Sequence, residues 1–203
     1  MKSKLIIIGL FIAAFVAYLL FPSRYDITNQ NPTGENIICF GDSLTYGTGA
    51  TEGMDYPSQL SVMISQSIIN AGVPGDTTST ALARVEDDLL CKSPRIVLIT
   101  LGGNDLKNRI PRDLAFRNLR TIVTRIQENG ALVIVGGVDI PFYGRGFGKA
   151  YKQLCKETGS VLVPNILKGI MGNAKFMSDP IHPNNDGYTL MAEKFCEAIK
   201  PYL

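Results

Sequence analysis

The stretch Ile37-Ile38-Cys39-Phe40-Gly41-Asp42-Ser43-Leu44 passes directly from a short apolar run into a small polar turn. Four consecutive apolar residues are typical of a strand that is buried on both faces of a parallel sheet. Gly41 and Asp42 then predict a turn, with Ser43 at the strand end and at the start of a helix. Because free backbone N–H groups at a helix start favour negative charge, Ser43 is a candidate nucleophile.

Short apolar runs recur along the chain, and segments of helical period lie between them. Five such runs predict strands at 36–40, 67–70, 95–101, 131–138 and 160–163. Apolar residues at helical spacing predict two amphipathic helices, one with Ala115, Leu119, Ile122, Val123 and Ile126 and one with Tyr188, Met191, Phe195 and Ile199. This alternation predicts an α/β fold, a three-layer, flavodoxin-like α/β/α domain with a five-stranded parallel sheet.

The length of the chain bounds the number of domains. A chain of 203 residues with 45% apolar content has room for one ordinary α/β domain and little more. We predict an N-terminal segment at 1–24, a linker at 25–34 and a single domain at 35–203. The linker is predicted because residues 25–34 are polar and include Pro32 and Gly34.

The N-terminal segment has the composition of a membrane anchor. Lys2 and Lys4 precede an uncharged stretch at 5–21, which as a helix would rise about 25 Å against a bilayer core of about 30 Å. A cleaved signal peptide is the main alternative, although no small-x-small cleavage site ends the stretch, and a buried helix is a third. The two lysines favour a cytoplasmic N-terminus. The domain is then expected outside the cytoplasm, on the periplasmic side in a bacterium, or secreted if the segment is cleaved.

Charge and cysteine content argue against several classes of partner. The formal charge is +2, and Lys2, Lys4 and Arg24 supply +3 of it, which leaves −1 for the remainder and no indication of nucleic-acid binding. The cysteines, at 39, 91, 155 and 196, are widely spaced and show no metal-type pattern. We therefore expect no metal and no cofactor. The disulfide state of the four cysteines stays open. We expect a monomer because no coiled coil is recognisable.

The only histidine of the chain, His182, lies in the sequence Asp179-Pro180-Ile181-His182. A serine hydroxyl is a poor nucleophile until a base takes its proton, and histidine is the side chain best suited to do so near neutral pH. A lone histidine is more often structural than catalytic. The nearby Asp179 favours the catalytic interpretation, because a spacing of three can place both side chains on one side of a turn.

Unusual residues follow the predicted strands at one edge of the sheet, where ligands collect in such folds. They are the Ser43 turn, the Gly75-Asp76 loop, the segment Gly102-Gly103-Asn104-Asp105 and the loop of His182. Each is weak evidence alone, since Gly-rich strand ends are common turns. A dinucleotide loop is excluded because Glu52 stands where its third glycine is needed, and no GxxxxGK[ST] phosphate-binding loop exists. The absence of GxSxG argues against an α/β-hydrolase fold.

These four blocks, in this order, resemble those of the SGNH, or GDSL, hydrolase family over roughly residues 36–200. The stretch Pro141-Phe142-Tyr143-Gly144-Arg145 further resembles the branch that contains acyl-CoA thioesterase I/lysophospholipase L1 and arylesterases. The resemblance implies an SGNH hydrolase domain at 35–203 that needs neither metal nor cofactor.

The resemblance also implies a role for each matching residue. Ser43 would be the nucleophile, His182 the general base and then acid, and Asp179 the carboxylate that orients His182. The oxyanion hole would consist of the backbone N–H groups of Ser43 and Gly75 and the side-chain amide of Asn104, and loss of one such donor typically costs about 10²–10³ in rate.

The other acidic residues of these motifs have milder interpretations. We expect Asp42 and Asp105 to hydrogen-bond the loops that carry Ser43 and Asn104 rather than to take part in the reaction. Asp76 could cap the helix that begins near Thr77. The segment 140–147, with its glycines, either borders the acyl site or is an ordinary surface loop.

The predicted function is that of a serine esterase acting on carboxylic esters or thioesters, of the lysophospholipase, arylesterase or thioesterase type, through an acyl-serine intermediate. The partner would be a small acyl ester or thioester, with lipids among the candidates, and membrane contact would come through residues 5–21. Two alternatives stay open: an O-acetyl esterase acting on envelope polysaccharide, and a catalytically silent module that binds a glycan or lipid.

Overall fold

Five strands form one parallel sheet in the computed structural model, which describes residues 25–140 and 146–203. The strands are β1 (Asn36–Gly41), β2 (Ile68–Gly72), β3 (Pro94–Thr100), β4 (Leu132–Gly136) and β5 (Val161–Val163). Their spatial order is β2-β1-β3-β4-β5, which is the order of a flavodoxin-like sheet. The predicted five-stranded parallel sheet is confirmed.

Helices connect the strands and cover the sheet. They are α1 (Ser43–Tyr46), α2 (Tyr56–Ile64), α3 (Thr78–Ala83), α4 (Val85–Asp88), α5 (Gly103–Lys107), α6 (Arg112–Glu128), α7 (Phe147–Thr158) and α8 (Asn185–Ile199). Short 3₁₀ turns occur at Leu90–Lys92, Ala174–Phe176 and Lys200–Tyr202. The apolar positions that predicted α6 and α8 are all buried.

Two apolar cores lie on opposite faces of the sheet, because successive residues of a strand point to opposite sides. Ile38 and Phe40 of β1 face the core beneath α3, α4, α6 and α7. Ile37 and Cys39 face the core beneath α2 and α8. The molecule therefore has the predicted α/β/α layers.

Two strands differ from the sequence prediction by two residues at their carboxyl ends, and the other bounds differ by at most one residue. β2 extends to Gly72 rather than ending at Asn70, because Ala71 and Gly72 still pair with Phe40 and Gly41 of β1. A side chain at Gly72 would collide with the backbone of Tyr46, so the close approach of α1 requires glycine there. β4 is shorter than predicted and ends at Gly136, although the chain stays buried through Val138.

Residues 25–34, predicted as a linker, lie against the domain. The Tyr25 hydroxyl donates to the carbonyl of Ser160 at 2.8 Å, the Thr28 amide to Gly159 at 2.8 Å, and the Asn29 side chain to Ala131 at 3.0 Å. All three carbonyls precede β4 or β5. The chain therefore enters the domain at the amino edge of the sheet.

The predicted membrane segment at 5–21 lies outside the described residues. In the ranges 25–140 and 146–203, no helix has the length and apolar character needed to cross a bilayer. The four cysteines are free: Cys39, Cys155 and Cys196 are buried and Cys91 is exposed.

Candidate active site

Ser43 is the first residue of α1, directly after β1 at the carboxyl edge of the sheet. Asp42 caps this helix, and its Oδ1 accepts a hydrogen bond from the Leu44 amide at 2.9 Å. A side chain at Gly41 would overlap Thr45 Oγ1 and the Thr100 carbonyl, so only glycine allows so sharp a turn out of the strand. The turn holds the Ser43 hydroxyl at the end of the sheet.

His182 lies in a tight loop closed by an antiparallel bridge between Met177 and Pro183. The Ser178 amide donates to the His182 carbonyl at 2.9 Å. Asp179 Oδ1 accepts from the backbone amides of Ile181 and His182, both at 2.8 Å. Asp179 thus fixes the backbone of the loop as well as the imidazole ring.

Ser43, His182 and Asp179 form a continuous hydrogen-bonded chain. His182 Nε2 lies 3.0 Å from Ser43 Oγ, and His182 Nδ1 lies 2.6 Å from Asp179 Oδ2. The hydrogen bond with His182, together with those from the loop amides, lowers the pKa of Asp179 from 3.8 to about 2. Asp179 is therefore ionised at neutral pH and suited to orient the ring and to stabilise it when protonated.

Asn104 lies near the start of α5, and its side chain joins two loops of the site. Asn104 Nδ2 donates to the backbone carbonyl of Asp76 at 2.9 Å. Gly75, the residue before Asp76, has φ +89°, a conformation that favours glycine. Ser43, Asn104 and His182 line one cavity, whereas Gly75 is not among the described residues of its wall.

A partly buried arginine, Arg84, holds the Gly75-Asp76 loop against the sheet. Arg84 Nε lies 2.6 Å from Asp76 Oδ2, and Arg84 Nη2 donates to the carbonyls of Gly41 and Ala71 at 3.0 and 3.1 Å. Asp76 is therefore not the helix cap that its position suggested. Thr77 caps α3 instead, in a capping box with Thr80.

Asp105 ties α5 to α3. Its carboxylate accepts from the Thr78 amide at 2.9 Å and from the Thr78 hydroxyl at 2.6 Å. The side chain is completely buried. Asp105 thus fixes the helix of Asn104, the supporting role expected from the sequence, but through Thr78, for which the sequence offered no signal.

Asp42 is a buried carboxyl group beside the candidate nucleophile. Burial is the main cause that raises its pKa from 3.8 to about 7, and the negative charges of Asp76 and Asp105 add to the effect. In the folded protein Asp42 therefore keeps its proton at a pH where the unfolded chain has lost it. The contribution of protonated Asp42 to the free energy of unfolding is fully present below about pH 4 and is lost as the pH rises through 7.

The substitution Asp42→Asn should accordingly stabilise the protein most at alkaline pH. Asparagine keeps an acceptor for the Leu44 amide and has no charge to bury. We expect the difference in free energy of unfolding between variant and wild type to be about 1–3 kcal/mol more favourable at pH 8 than at pH 5. Urea unfolding at the two pH values measures it, and an equal difference at both would contradict the buried-carboxyl account.

The cavity at the candidate site has a volume of about 380 Å³ and mostly apolar walls. Six of its apolar lining residues are Leu44, Leu106, Val138, Ile140, Leu167 and Met171. Ile140 places the start of segment 140–147 at the cavity, while residues 141–145 lie outside the described residues. An apolar cavity with a few convergent polar groups suits an acyl chain next to a reacting ester.

Metal-ligating residues are not clustered in the described part of the chain, where no group of three His, Cys, Asp or Glu side chains could hold an ion. What the site does present is a hydroxyl, an imidazole and a carboxylate in sequence, in contact with an apolar cavity. These groups define the class of protein as a serine hydrolase of α/β/α architecture.

Comparisons with known proteins give the family. The profile of the GDSL-like Lipase/Acylhydrolase family matches residues 39–190, and the chain belongs to this family. Esterase TesA of Pseudomonas aeruginosa is 27% identical over 189 residues, covering 87% of this chain and 94% of that protein. Thioesterase 1/protease 1/lysophospholipase L1 of Escherichia coli K12 is 28% identical over 183 residues, covering 86% and 88%.

The fold agrees with that of a solved relative. The crystal structure of TesA superposes with a TM-score of 0.79 at 26% identity and covers 83% of this chain and all of that one. The predicted SGNH hydrolase fold and the predicted class, a serine hydrolase that acts on ester bonds, are confirmed.

Proposed function

We propose that Ser43, His182 and Asp179 hydrolyse acyl esters or thioesters through an acyl-Ser43 intermediate. The observation that carries the proposal is the 3.0 Å contact between Ser43 Oγ and His182 Nε2, with Asp179 on the other ring nitrogen. This geometry lets one imidazole take the proton of the attacking hydroxyl while the carboxylate stabilises the charge that forms on the ring.

The reaction then proceeds in two half-reactions. Ser43 Oγ attacks the substrate carbonyl and His182 accepts its proton, which gives a tetrahedral intermediate. His182 donates that proton to the leaving alcohol or thiol as the bond to it breaks. A water molecule, deprotonated by His182, attacks the acyl-serine, and the carboxylic acid leaves as Ser43 recovers its proton.

The oxyanion of each tetrahedral intermediate needs donors held in place. The amide nitrogen of Asn104 carries two hydrogens, and the Asp76 carbonyl accepts one of them. The second hydrogen is free to face the oxyanion, and we propose the backbone N–H groups of Ser43 and Gly75 as the other two donors. The ion pair of Asp76 with Arg84 stabilises the loop that carries Gly75.

Replacement of Asn104 by alanine should lower kcat by about 10²–10³ with little change in KM, because the donor acts mainly on the charged intermediate. Steady-state kinetics with an aryl ester measures the effect. Asn108→Ala is the matched control, because Asn108 is exposed and lies one helical turn after Asn104. A loss below about fivefold for Asn104→Ala would remove Asn104 from the oxyanion hole.

The apolar cavity supports a medium or long acyl chain as the preferred acid component. An acetyl group would leave most of the roughly 380 Å³ unfilled. The E. coli relative is named as a thioesterase and lysophospholipase, which supports lipid-derived esters or thioesters for this chain too. A deacetylase or a silent binding module fits the cavity and the Ser43–His182 contact less well.

We further propose that residues 5–21 anchor the protein in a membrane, with the domain outside the cytoplasm and acting as a monomer. The chain enters the domain through Tyr25, at the amino edge of the sheet. The catalytic residues lie at the carboxyl edge, one strand length, about 20 Å, away. An anchored enzyme would therefore present its site to the solution, so substrate would arrive as dispersed molecules.

An acyl-length series of aryl esters tests the proposed function, with a lysophospholipid and an acetylated glycan beside it. We expect turnover to rise from acetyl to medium or long acyl chains, and a fluorophosphonate to inhibit it. Activity confined to acetyl groups would favour the deacetylase, and a folded protein with no turnover on any substrate would favour the binding module.

A further inference from the structure

One lysine, Lys107, lines the same cavity as Ser43 and His182. Lys107 is exposed and is the one Lys or Arg side chain among the described residues that line the cavity. It ends α5, three residues after Asn104. Residues three apart on a helix are neighbours on one face, so the flexible lysine stem reaches the space next to the proposed oxyanion hole.

No carboxylate in the described part of the chain forms an ion pair with Lys107. Among residues 25–140 and 146–203, the ion pairs involve Arg84, Arg112, Arg120, Arg125 and His182, and none includes Lys107. The one carboxyl group in the described cavity wall is the buried Asp42. The described part of the cavity wall thus combines apolar side chains with one exposed cation, Lys107.

This arrangement matches a substrate with an apolar tail and a negative charge close to its ester. We propose that Lys107 forms a subsite for the phosphate of a monoacyl glycerophosphate, so that the enzyme prefers acyl esters that carry a phosphate near the scissile bond. The lysine ammonium binds phosphate as a point charge. The inference rests on the proposed function and adds a specificity-determining residue to it.

The position of Lys107 distinguishes two sources of phosphate. In a glycerophosphate the phosphorus is only a few bonds from the ester oxygen, which matches one helical turn between Asn104 and Lys107. In an acyl-CoA thioester the phosphates lie beyond the whole pantetheine arm. The glycerophosphate is therefore the better match for the charge of Lys107.

The test compares octanoylglycerol phosphate, octanoylglycerol and octanoyl-CoA as dispersed substrates of the full-length protein. The ratio of kcat/KM for the phosphate ester to that for its neutral analogue is expected to fall about fivefold in Lys107→Gln at low salt, an effect of the size found for exposed charge pairs. Lys107→Arg should retain the preference. In wild type, 1 M salt should reduce it.

Lys156→Gln is the matched control, because Lys156 is exposed at the end of α7, near the amino edge of the sheet. It should leave the ratio unchanged. Equal losses on both glycerol esters in Lys107→Gln, or an unchanged ratio, would overturn the subsite. A selective loss on octanoyl-CoA in Lys107→Gln would show that Lys107 binds the phosphates of CoA instead. Absence of Ser43-dependent turnover on all three substrates would overturn the proposed function itself.

Discussion

Ser43→Ala should reduce kcat/KM for ester hydrolysis by about 10⁴–10⁶, the loss seen when the nucleophile of a serine hydrolase is removed. The hydroxyl lies 3.0 Å from the imidazole that would take its proton, and alanine leaves nothing to form the acyl intermediate. The change removes one oxygen atom from a partly exposed residue. The fold and the unfolding midpoint should therefore be retained.

Ser79→Ala is the matched control for this prediction, because Ser79 is exposed on α3 and should tolerate the same change without loss of activity. Initial rates with a medium-chain aryl ester measure both variants. A folded Ser43→Ala protein that retains more than about a hundredth of wild-type turnover would show that another group is the nucleophile.

His182→Ala should cost about as much as Ser43→Ala, because a serine hydroxyl without its base is a weak nucleophile at neutral pH. No second histidine can substitute, since the chain contains one. Asp179 keeps its hydrogen bonds to the loop amides at 181 and 182, so the loop should retain its shape. Single-turnover measurements should show that acylation itself is slowed.

The double variant Ser43→Ala/His182→Ala distinguishes a cooperating pair from two independent contributions. We expect its activity to equal that of either single variant, since residues that act as a unit show non-additive losses. Losses that multiply would mean that the two side chains contribute separately, and the mechanism proposed above would then be wrong.

Most of the sheet could be predicted from the sequence because its central strands are buried on both faces. The Ile- and Val-rich runs of β1 and β3 are buried almost throughout, and their predicted bounds agree with the structure to within one residue at each end. The edge strand β2 was less predictable. Its last two residues, Ala71 and Gly72, belong to the strand through pairing with β1, which no local pattern reveals.

The candidate site could be predicted where its residues belong to short motifs. Ser43, Asn104, Asp179 and His182 lie at strand or loop ends recognisable in the sequence, and the structure brings Ser43 and His182 together across 139 positions. Gly75 belongs to the same motifs. Its backbone N–H role stays a prediction.

The supporting residues of the site could not be predicted, because their partners are distant in sequence. Arg84 is one of many charged residues on a helical segment, and its contact with the Gly41 carbonyl spans 43 positions. Thr78 meets Asp105 across 27 positions. Lys107 ends a short helix, and only the cavity lining shows that it shares a cavity with Ser43 and His182.

Covalent labelling of the protein with a fluorophosphonate, followed by mass spectrometry of its peptides, tests the proposed mechanism most directly. We predict one adduct, on the peptide that contains Ser43, formed rapidly in wild type and far more slowly in His182→Ala. An adduct on a different serine, or no adduct on a folded wild-type protein, would contradict the assignment of Ser43 as a nucleophile activated by His182.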